Sequence, residues 1–349
     1  MAWRSTLRAG RWVVAGLVAV LAGCAAEKPD REPAASVHSY PCVLGLALNS
    51  SRIEDNGYNE IQYQGIKQAS SRYRVPFEIS LRESAQPEAA LASMKYLVED
   101  AGCTVVFASA EDQRGAVDQL AKQYPKVKFI LLDAEPLTPR PNIAAVKFLS
   151  REAAYLAGAL AARMSKSGVV AVVGGAQGTG SEDLAEGFAA GAKAARKDIR
   201  VPIRYITDGD PQADPWNSPR IAATLTQDLT ATDKADIIFA AAGGSNYGVF
   251  DVVKSEKKMA IGVDADQDGI MKGVILTSVM KRLDTAIERL TGEVVEGRFE
   301  NKVYVMGLAN GGVGLSPMLY TRQLVPPNVM SDIEKLKADI IAGKIKAAK

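Results

Sequence analysis

The residues best suited to holding a ligand lie in one stretch, 240–281, where short apolar runs end in glycine or polar residues. These runs span residues 237–241, 260–263 and 274–279. In an open parallel α/β sheet, ligands bind beyond the carboxyl ends of the strands, where backbone N–H groups and short polar side chains are free. We therefore expect these three strand ends to meet at one cleft.

This stretch offers three kinds of contact to a ligand. Phe250 can stack on a flat ring. Asp264 can accept two hydrogen bonds from a diol while Lys281 holds that carboxylate in place. Three glycines let the backbone approach a ligand closely: Gly243, Gly244 and Gly248. The alternative interpretation is an ordinary series of strands, loops and helices with solvated charges.

Catalytic chemistry receives little support from the sequence. The only histidine is His38, which argues against histidine acid–base catalysis, Ser-His-Asp triads and most catalytic zinc sites. Asp264 and Asp266 have the spacing of a calcium loop, but the remaining ligand positions do not follow. The glycine loop at 174–180 matches neither a dinucleotide fingerprint nor a P-loop, so we expect a hinge or a cleft-facing turn. Binding without a metal or another cofactor is therefore predicted, and Trp216 is equally compatible with a lid or with burial at a strand end.

Composition describes a soluble globular chain that is long enough for two lobes. Of the 349 residues, 47% are hydrophobic and 23% are charged, which is ordinary for soluble proteins. The formal net charge of +2 gives no reason to expect nucleic acid as a partner.

The first 41 residues have the features of an export signal followed by a tether. Residues 1–23 carry arginines and then a short apolar run, which predicts a signal peptide and not a membrane span. The run ends in Leu-Ala-Gly before Cys24, as in bacterial lipoproteins, whose cysteine is lipidated; an ordinary signal peptide with a chance cysteine is the alternative. Residues 24–41 are then a flexible tether. We expect a membrane-anchored chain with its folded domain in the periplasm or on the cell surface.

Strand and helix patterns alternate along the rest of the chain, and the alternation restarts after an alanine-rich helix at 151–164. Such alternation predicts an α/β fold of parallel sheets with right-handed crossovers. The sequence predicts two lobes that each take two segments of the chain: 42–148 plus about 282–308 for the first lobe, and 149–281 plus about 309–349 for the second.

Seven short motifs then occur in a particular order: Asp-Asn-Gly-Tyr-Asn at 55–59, Gly-Phe-Ala-Ala-Gly at 187–191, Ala-Gly-Gly at 242–244, Gly-Val-Phe at 248–250, Gly-Val-Asp at 262–264, Ser-Val-Met-Lys-Arg at 278–282 and Gly-Gly-Val-Gly-Leu at 311–315. Together they resemble the basic membrane protein family over roughly residues 43–315. That family consists of substrate-binding lipoproteins of ABC transporters, several of which bind purine nucleosides. The resemblance implies a two-lobed type I periplasmic-binding fold with the ligand between the lobes.

The resemblance also implies roles for individual residues. Tyr58 and Phe250 match the aromatic residues that stack on the base. Asp264 matches the carboxylate that grips the ribose hydroxyls, and Lys281 the lysine beside it. Asn49 falls where the family places a polar residue that reads the base.

Further candidate contacts are less directly assigned. Ser50, Asp55 and Asn59 accompany the first strand end and the first motif. Many family members carry a base-facing aspartate near the start of the helix after the third strand. This chain has Gly115 there, with Asp112 nearby, which leaves the base preference open.

The function predicted from these residues is that of a monomeric, lipid-anchored receptor. It binds a nucleoside, and a purine fits best, without turnover and delivers it to the permease and ATPase of an ABC importer. One alternative is a receptor of the same fold that signals to a partner. Another is a nucleoside-processing enzyme, which needs a phosphate or metal site and a general base that the sequence does not offer.

A disulfide between Cys42 and Cys103 is also predicted. Both cysteines stand at the entry of a predicted strand, and the first and third strands are neighbours in a sheet of order 2-1-3-4-5. Neighbouring strands lie ~4.8 Å apart, within reach of a disulfide. Two buried free thiols are the alternative.

Overall fold

Two six-stranded sheets, each flanked by helices, arise from the alternation of strand and helix patterns. The computed structural model describes residues 43–347, apart from residues 85, 110 and 179. The strands run as follows: β1 Leu44–Leu48, β2 Phe77–Leu81, β3 Val105–Ser109, β4 Lys128–Leu132, β5 Ile143–Phe148, β6 Val170–Gly174, β7 Ile203–Tyr205, β8 Ile237–Ala241, β9 Met259–Asp264, β10 Ile275–Lys281, β11 Val303–Met306 and β12 Val313–Leu315. The α-helices are α1 Tyr58–Tyr73, α2 Pro87–Lys95, α3 Arg114–Gln123, α4 Ser150–Met164, α5 Gly180–Ala195, α6 Ile206–Gly209, α7 Pro219–Ala231, α8 Asn246–Ser255, α9 Leu283–Val295 and α10 Pro327–Ile341.

The strand order of the first sheet is β11-β5-β4-β3-β1-β2, and that of the second is β12-β10-β9-β8-β6-β7. Neighbouring strands are parallel, except that β12 pairs antiparallel with β10. The predicted α/β fold and the 2-1-3-4-5 order of the first five strands are confirmed. Central strands such as β1 and β3 are buried along their whole length, as expected for a parallel sheet covered on both faces.

The chain returns to the first sheet after building most of the second. Helix α9 packs on α1, and β11 then pairs with β5 at the outer edge of the first sheet. Strand β12 covers the last three residues of the Gly-Gly-Val-Gly-Leu motif at 311–315. Its pairing with β10 takes the chain back to the second sheet, where α10 packs on α4.

Close packing between α4 and α5 accounts for the motif at 187–191. A Cβ added at Gly191 would lie 1.9 Å from the carbonyl oxygen of Tyr155, and one added at Gly158 would lie 1.9 Å from that of Phe188. Glycine is therefore required where the two helices touch. No helix within the described residues is long and apolar enough to cross a membrane.

Cys103 is a free, buried thiol in the structure. Its Sγ lies 3.5 Å from the carbonyl oxygen of Leu44 and packs on the face of β1 that carries Gly45. Side chains alternate between the faces of a strand, so this face is the one opposite to the Leu44 side chain. The structure thus gives no support to the predicted disulfide with Cys42, which itself lies outside the described residues.

Candidate functional site

A cavity of about 240 Å³ lies between the carboxyl ends of the two sheets. Drug-sized ligands occupy pockets of roughly 300–1,000 Å³, so this cavity suits a small ligand. Residues from both sheets line it: Asn49, Tyr58, Arg82, Glu111, Asp112, Asp133, Ala176, Gly180, Ser181, Leu184, Pro215, Trp216, Ala241, Gly243, Val263, Asp264 and Lys281.

Lys281 contacts residues of both sheets at the cavity. It is the last residue of β10 and is almost fully buried. Its Nζ donates a hydrogen bond to Asp133, which follows β4 of the first sheet, and lies 3.7 Å from Oδ1 of Asp264, the last residue of β9. Both aspartates adopt left-handed backbone conformations, with φ of 60° and 68°. Strained conformations of non-glycine residues concentrate at ligand sites, so the backbone itself marks these strand ends.

Burial and opposite charge act against each other in this cluster. Burial raises the pKa of Asp264 to about 6, although Lys281 partly opposes the rise. The pKa of Asp133 is raised for the same reason, again against the effect of Lys281. Burial lowers the pKa of the Lys281 ammonium, but the two aspartates outweigh burial and leave it raised. Lys281 therefore stays charged, while Asp264 can take up a proton in mildly acidic solution.

Two aromatic side chains line the cavity, one from each lobe. Tyr58 is the first residue of α1, and the Nζ of Lys281 lies 5.6 Å from the centre of its ring. Trp216 lies in the segment between α6 and α7. A Cβ added at Gly175 would lie 2.4 Å from Cζ3 of Trp216, so the indole has room only because residue 175 is glycine. The hydroxyl of Tyr58 is buried and finds no hydrogen-bond partner among the described residues.

The loop between β1 and α1 is fixed by side chains that hold the start of the helix. The carboxylate of Asp55 accepts hydrogen bonds from the backbone N–H groups of Gly57, Asn59 and Glu60. The amide of Asn59 bonds to the backbone N–H of Asn49 and to the carbonyl oxygen of Ser51. These contacts satisfy N–H groups that the first turn of a helix leaves unpaired, and they place Tyr58 at the cavity.

A second charged pair lies on the first-lobe side of the cavity. Arg82 directly follows β2, and its Nη2 lies 2.5 Å from Oδ2 of Asp112, in the short 3₁₀ helix Glu111–Gln113. The Arg82 side chain is fully buried, whereas that of Asp112 remains 34% exposed. The Nε and Nη1 atoms of Arg82 have no hydrogen-bond partner in the described part of the chain.

A profile of the ABC transporter substrate-binding proteins described as PnrA-like matches residues 43–349. The chain belongs to this family. Among its relatives, the ABC transporter nucleoside-binding protein BmpA of Lactococcus lactis is 26% identical over 347 residues, which cover 94% of each chain. The CD4+ T-cell-stimulating antigen of Listeria monocytogenes has the same identity and coverage. Basic membrane protein A of Borreliella burgdorferi is 28% identical over 84% of each chain. The resemblance inferred from the motifs is confirmed.

Solved structures share the fold of this PnrA-like chain. A solute-binding protein of an ABC transporter system from Aeropyrum pernix K1 superimposes with a TM-score of 0.77 at 21% identity, covering 88% of this chain and 93% of that one. A transcriptional activator of the comK gene from Bacillus halodurans gives a TM-score of 0.70 at 24% identity, covering 86% and 97%. Likeness at these identities establishes the two-lobed type I fold, as predicted.

Most of the residues predicted to bind the ligand lie at the PnrA-like cavity or support its walls. Those that line it are Asn49, Tyr58, Asp112, Gly243, Asp264 and Lys281. Asp55 and Asn59 act on the backbone instead, as described above. The hydroxyl of Ser50 donates to Oδ2 of Asp214, whose Oδ1 accepts the backbone N–H of Trp216. Ser50 thus helps to hold the Trp216 segment from across the cleft.

Phe250 does not line the cavity. Phe250 belongs to α8, and its side chain is fully buried in the core of the second lobe. The rings of Phe250 and Tyr247 pack edge to face. The side of α8 that carries Phe250 faces the sheet, because α8 packs on β8 and β9. Trp216 is the aromatic residue that the second lobe contributes.

The predicted glycine contacts are also corrected in part. Gly248 lies inside α8, where an added Cβ would come within 1.8 Å of the carbonyl oxygen of Pro219, so it serves helix packing. Gly244 lies against Ser51 of the first lobe. A Cβ added at Gly244 would lie 2.6 Å from the Oγ of Ser51, so glycine permits this contact between the lobes. Gly243, with φ of 55°, does line the cavity.

Several lining residues were not predicted: Arg82, Glu111, Asp133 and Ser181. Arg82 and Asp133 directly follow β2 and β4, so the strand-end argument used for Asp264 would have found both. Ser181 is the second residue of α5 and directly follows the glycine loop at 174–180. That loop was predicted to be a hinge or to face the cleft, and Ala176 and Gly180 line the cavity, so it faces the cleft. Nothing in its own sequence singles out Glu111.

Proposed function

We propose that this substrate-binding protein holds a purine nucleoside in the cavity between its lobes. The observation that carries the proposal is the arrangement of Tyr58 and Trp216 from opposite lobes beside the buried cluster of Lys281 with two aspartates. A flat base between two aromatic rings gains ~1–3 kcal/mol for each stacked face. The name of the Lactococcus lactis relative, a nucleoside-binding protein, supports the same ligand class.

The ribose is assigned to Asp264. Its carboxylate is buried, and its Oδ1 lies 3.7 Å from Lys281 Nζ, beyond hydrogen-bond distance. It therefore retains acceptor capacity for the two hydroxyls of a ribose, while Asp133 takes the hydrogen bond of the ammonium. A deoxyribose would leave this buried carboxylate short of a donor, which is costly.

The charges around the cavity favour an uncharged nucleoside over a nucleotide. Four carboxylates line it, those of Glu111, Asp112, Asp133 and Asp264, against two cations, Arg82 and Lys281. Each cation is already paired with a carboxylate. A phosphate would meet a surplus of negative charge with neither cation free to neutralise it.

The receptor delivers its ligand unchanged to the permease and ATPase of an importer. Stacking, a diol-binding carboxylate and closure of two lobes suffice for capture, and the site requires no general base. Lipidation of Cys24 holds the chain at the membrane, and the segment at 24–41 spans the distance to the folded domain. The anchor and the tether rest on the sequence alone, because both segments lie outside the described residues. Delivery to a permease and an ATPase is supported by membership in an ABC transporter family.

Two measurements test the proposal. Native mass spectrometry of the purified protein identifies any small molecule that accompanies it. Calorimetry with adenosine, guanosine, inosine and uridine should then show purine nucleosides bound with no product formed. Absence of heat with every nucleoside, together with tight binding of a sugar or an amino acid, would overturn it.

A further inference from the structure

Gln267 bonds to both lobes beside the cavity, although it does not line it. It lies in the loop between β9 and β10, and only 2% of the residue is exposed. Its Nε2 donates a hydrogen bond to the carbonyl oxygen of Asn56, between β1 and α1 of the first lobe, at 2.9 Å. Its Oε1 accepts the backbone N–H of Val263, in β9 of the second lobe, at 3.0 Å. A single side-chain amide therefore bridges the two lobes.

The two backbone groups that Gln267 contacts lie next to the residues assigned to the ligand. Asn56 is two residues before Tyr58, which lines the cavity from the first lobe. Val263 directly precedes Asp264, the carboxylate assigned to the ribose. Since both bonds have the ordinary length of N–H···O contacts, the amide sets the separation of these backbone groups and, through them, of the stacking ring and the carboxylate.

Two glycines leave room for this amide. A Cβ added at Gly262 would lie 2.6 Å from Oε1 of Gln267, and one added at Gly57 would lie 3.4 Å from its Nε2. Glycine is therefore required at 262, where the amide touches β9. Gly57 and Gly262 belong to the motifs at 55–59 and 262–264, so these two motifs meet at Gln267.

A second contact between the lobes lies outside the cavity lining. The Nδ2 of Asn56 donates a hydrogen bond to Oη of Tyr247, in α8 of the second lobe, at 2.6 Å. The guanidinium of Arg52 lies 5.6 Å from the centre of the same ring. Asn56 adopts a left-handed conformation, with φ of 50°. Strained conformations persist where the surroundings hold them, and here both the carbonyl oxygen and the side chain of Asn56 bond to the second lobe.

Building on the proposed function, we propose that Gln267 is a positioning residue for the nucleoside. It holds Tyr58 and Asp264 at the separation at which one ligand contacts both, and the bond between Asn56 and Tyr247 assists it. Apparent affinity falls with the fraction of molecules in the arrangement that binds, so bonds that favour this separation lower Kd without touching the ligand. One hydrogen bond corresponds to about 2- to 12-fold in Kd, the equivalent of ~0.5–1.5 kcal/mol at 1.4 kcal/mol per tenfold.

The test is calorimetry on the full chain with inosine and 2′-deoxyinosine. Gln267→Met keeps the length of the side chain and removes both of its hydrogen bonds. We expect its Kd for inosine to rise about 2- to 12-fold. The preference for inosine over 2′-deoxyinosine should also fall, because the N–H of Val263 that loses its partner belongs to the strand end that carries Asp264. A purely structural role would lower the melting temperature and leave this preference unchanged.

Two further variants accompany Gln267→Met. Tyr247→Phe keeps the ring and removes the acceptor for Asn56. Because that bond is exposed, we expect Kd to rise only about 2-fold, for both nucleosides alike. Gln323→Met is the matched control, since its Nε2 donates to the carbonyl oxygen of Tyr320 away from the cavity lining, and it should bind as the unaltered chain does.

The outcomes separate this inference from the proposed function. A folded Gln267→Met variant that retains either the Kd or the riboside preference of the unaltered chain overturns the positioning role and leaves a nucleoside receptor standing. Failure of every nucleoside to bind to the unaltered chain overturns the proposed function itself. If Gln267→Met does not fold by circular dichroism, Tyr247→Phe decides the matter: a Kd raised about 2-fold supports the bridge between the lobes, and an unchanged Kd overturns it.

Discussion

Replacing Trp216 separates the stacking site seen in the structure from the one predicted by sequence. Trp216→Leu removes the aromatic face that the second lobe contributes to the cavity. Loss of one aromatic partner of a base costs ~1–3 kcal/mol, so we expect Kd for a purine nucleoside to rise about 5- to 140-fold. Trp216→Phe keeps a stacking face and should lose much less.

Phe250→Leu is the matched control, because Phe250 was the predicted stacking residue. Its ring is fully buried in the core beneath α8. Truncation of a buried phenylalanine to alanine costs ~3–5 kcal/mol, and leucine, which keeps more atoms, should cost less. We therefore expect a lower melting temperature for Phe250→Leu with an unchanged nucleoside Kd.

Calorimetry measures the Kd of each variant, and circular dichroism checks folding. Tryptophan fluorescence offers an independent assay. Trp3 and Trp12 lie in the predicted signal peptide, so Trp216 would be the sole tryptophan of a chain cleaved before Cys24. Its emission should then report ligand directly. A folded Phe250→Leu variant that loses as much affinity as Trp216→Leu would refute this assignment of the stacking residues.

Four further predictions concern the ribose, pH, the anchor and the thiols. Asp264→Ala should abolish the preference for ribosides over 2′-deoxyribosides in calorimetry while Asp266→Ala, whose side chain does not line the cavity, changes little; equal losses would mean that the strand end is misplaced. Because the pKa of Asp264 is raised from 3.8 to about 6, affinity should fall as pH drops through about 6 and the carboxylate is protonated, and a flat Kd between pH 5 and pH 7.5 would contradict its role. Cys24→Ala should release the protein from membranes or leave an unprocessed precursor, and unchanged membrane association in cell fractionation would indicate another anchor. Since Cys103 is free in the structure, thiol titration of the denatured, unreduced protein should detect it, whereas loss of both thiols would establish the bridge to Cys42.

The positions at strand ends could be found from sequence because one rule places them. Asn49, Asp264 and Lys281 end or follow apolar runs, and parallel strands bring such ends to one edge of a sheet. Arg82 and Asp133 obey the same rule, although no motif of the family includes them. For these residues, the spacing of apolar and polar residues contains the information needed.

The aromatic pair depended on information that the sequence does not carry. Phe250 and Tyr247 are three residues apart on α8, and only the packing of the helix decides which of them faces the sheet. Trp216 lies outside the strands, where no periodicity indicates its direction. Its position depends on Gly175 and on the hydrogen bond from Ser50 to Asp214, contacts between residues far apart in the chain.

The buried lysine connects the two sheets across the cleft. Lys281 and Asp264 belong to the second sheet and Asp133 to the first, so the hydrogen bond between Lys281 and Asp133 crosses the cleft. Withdrawal of these charges from water costs several kcal/mol per ion. The Lys281 ammonium donates its hydrogen bond to Asp133 and lies 3.7 Å from Asp264, so the Asp264 carboxylate receives no hydrogen bond from it. On the proposed function, we infer that ribose hydroxyls supply the hydrogen bonds that the buried carboxylate of Asp264 does not receive from Lys281.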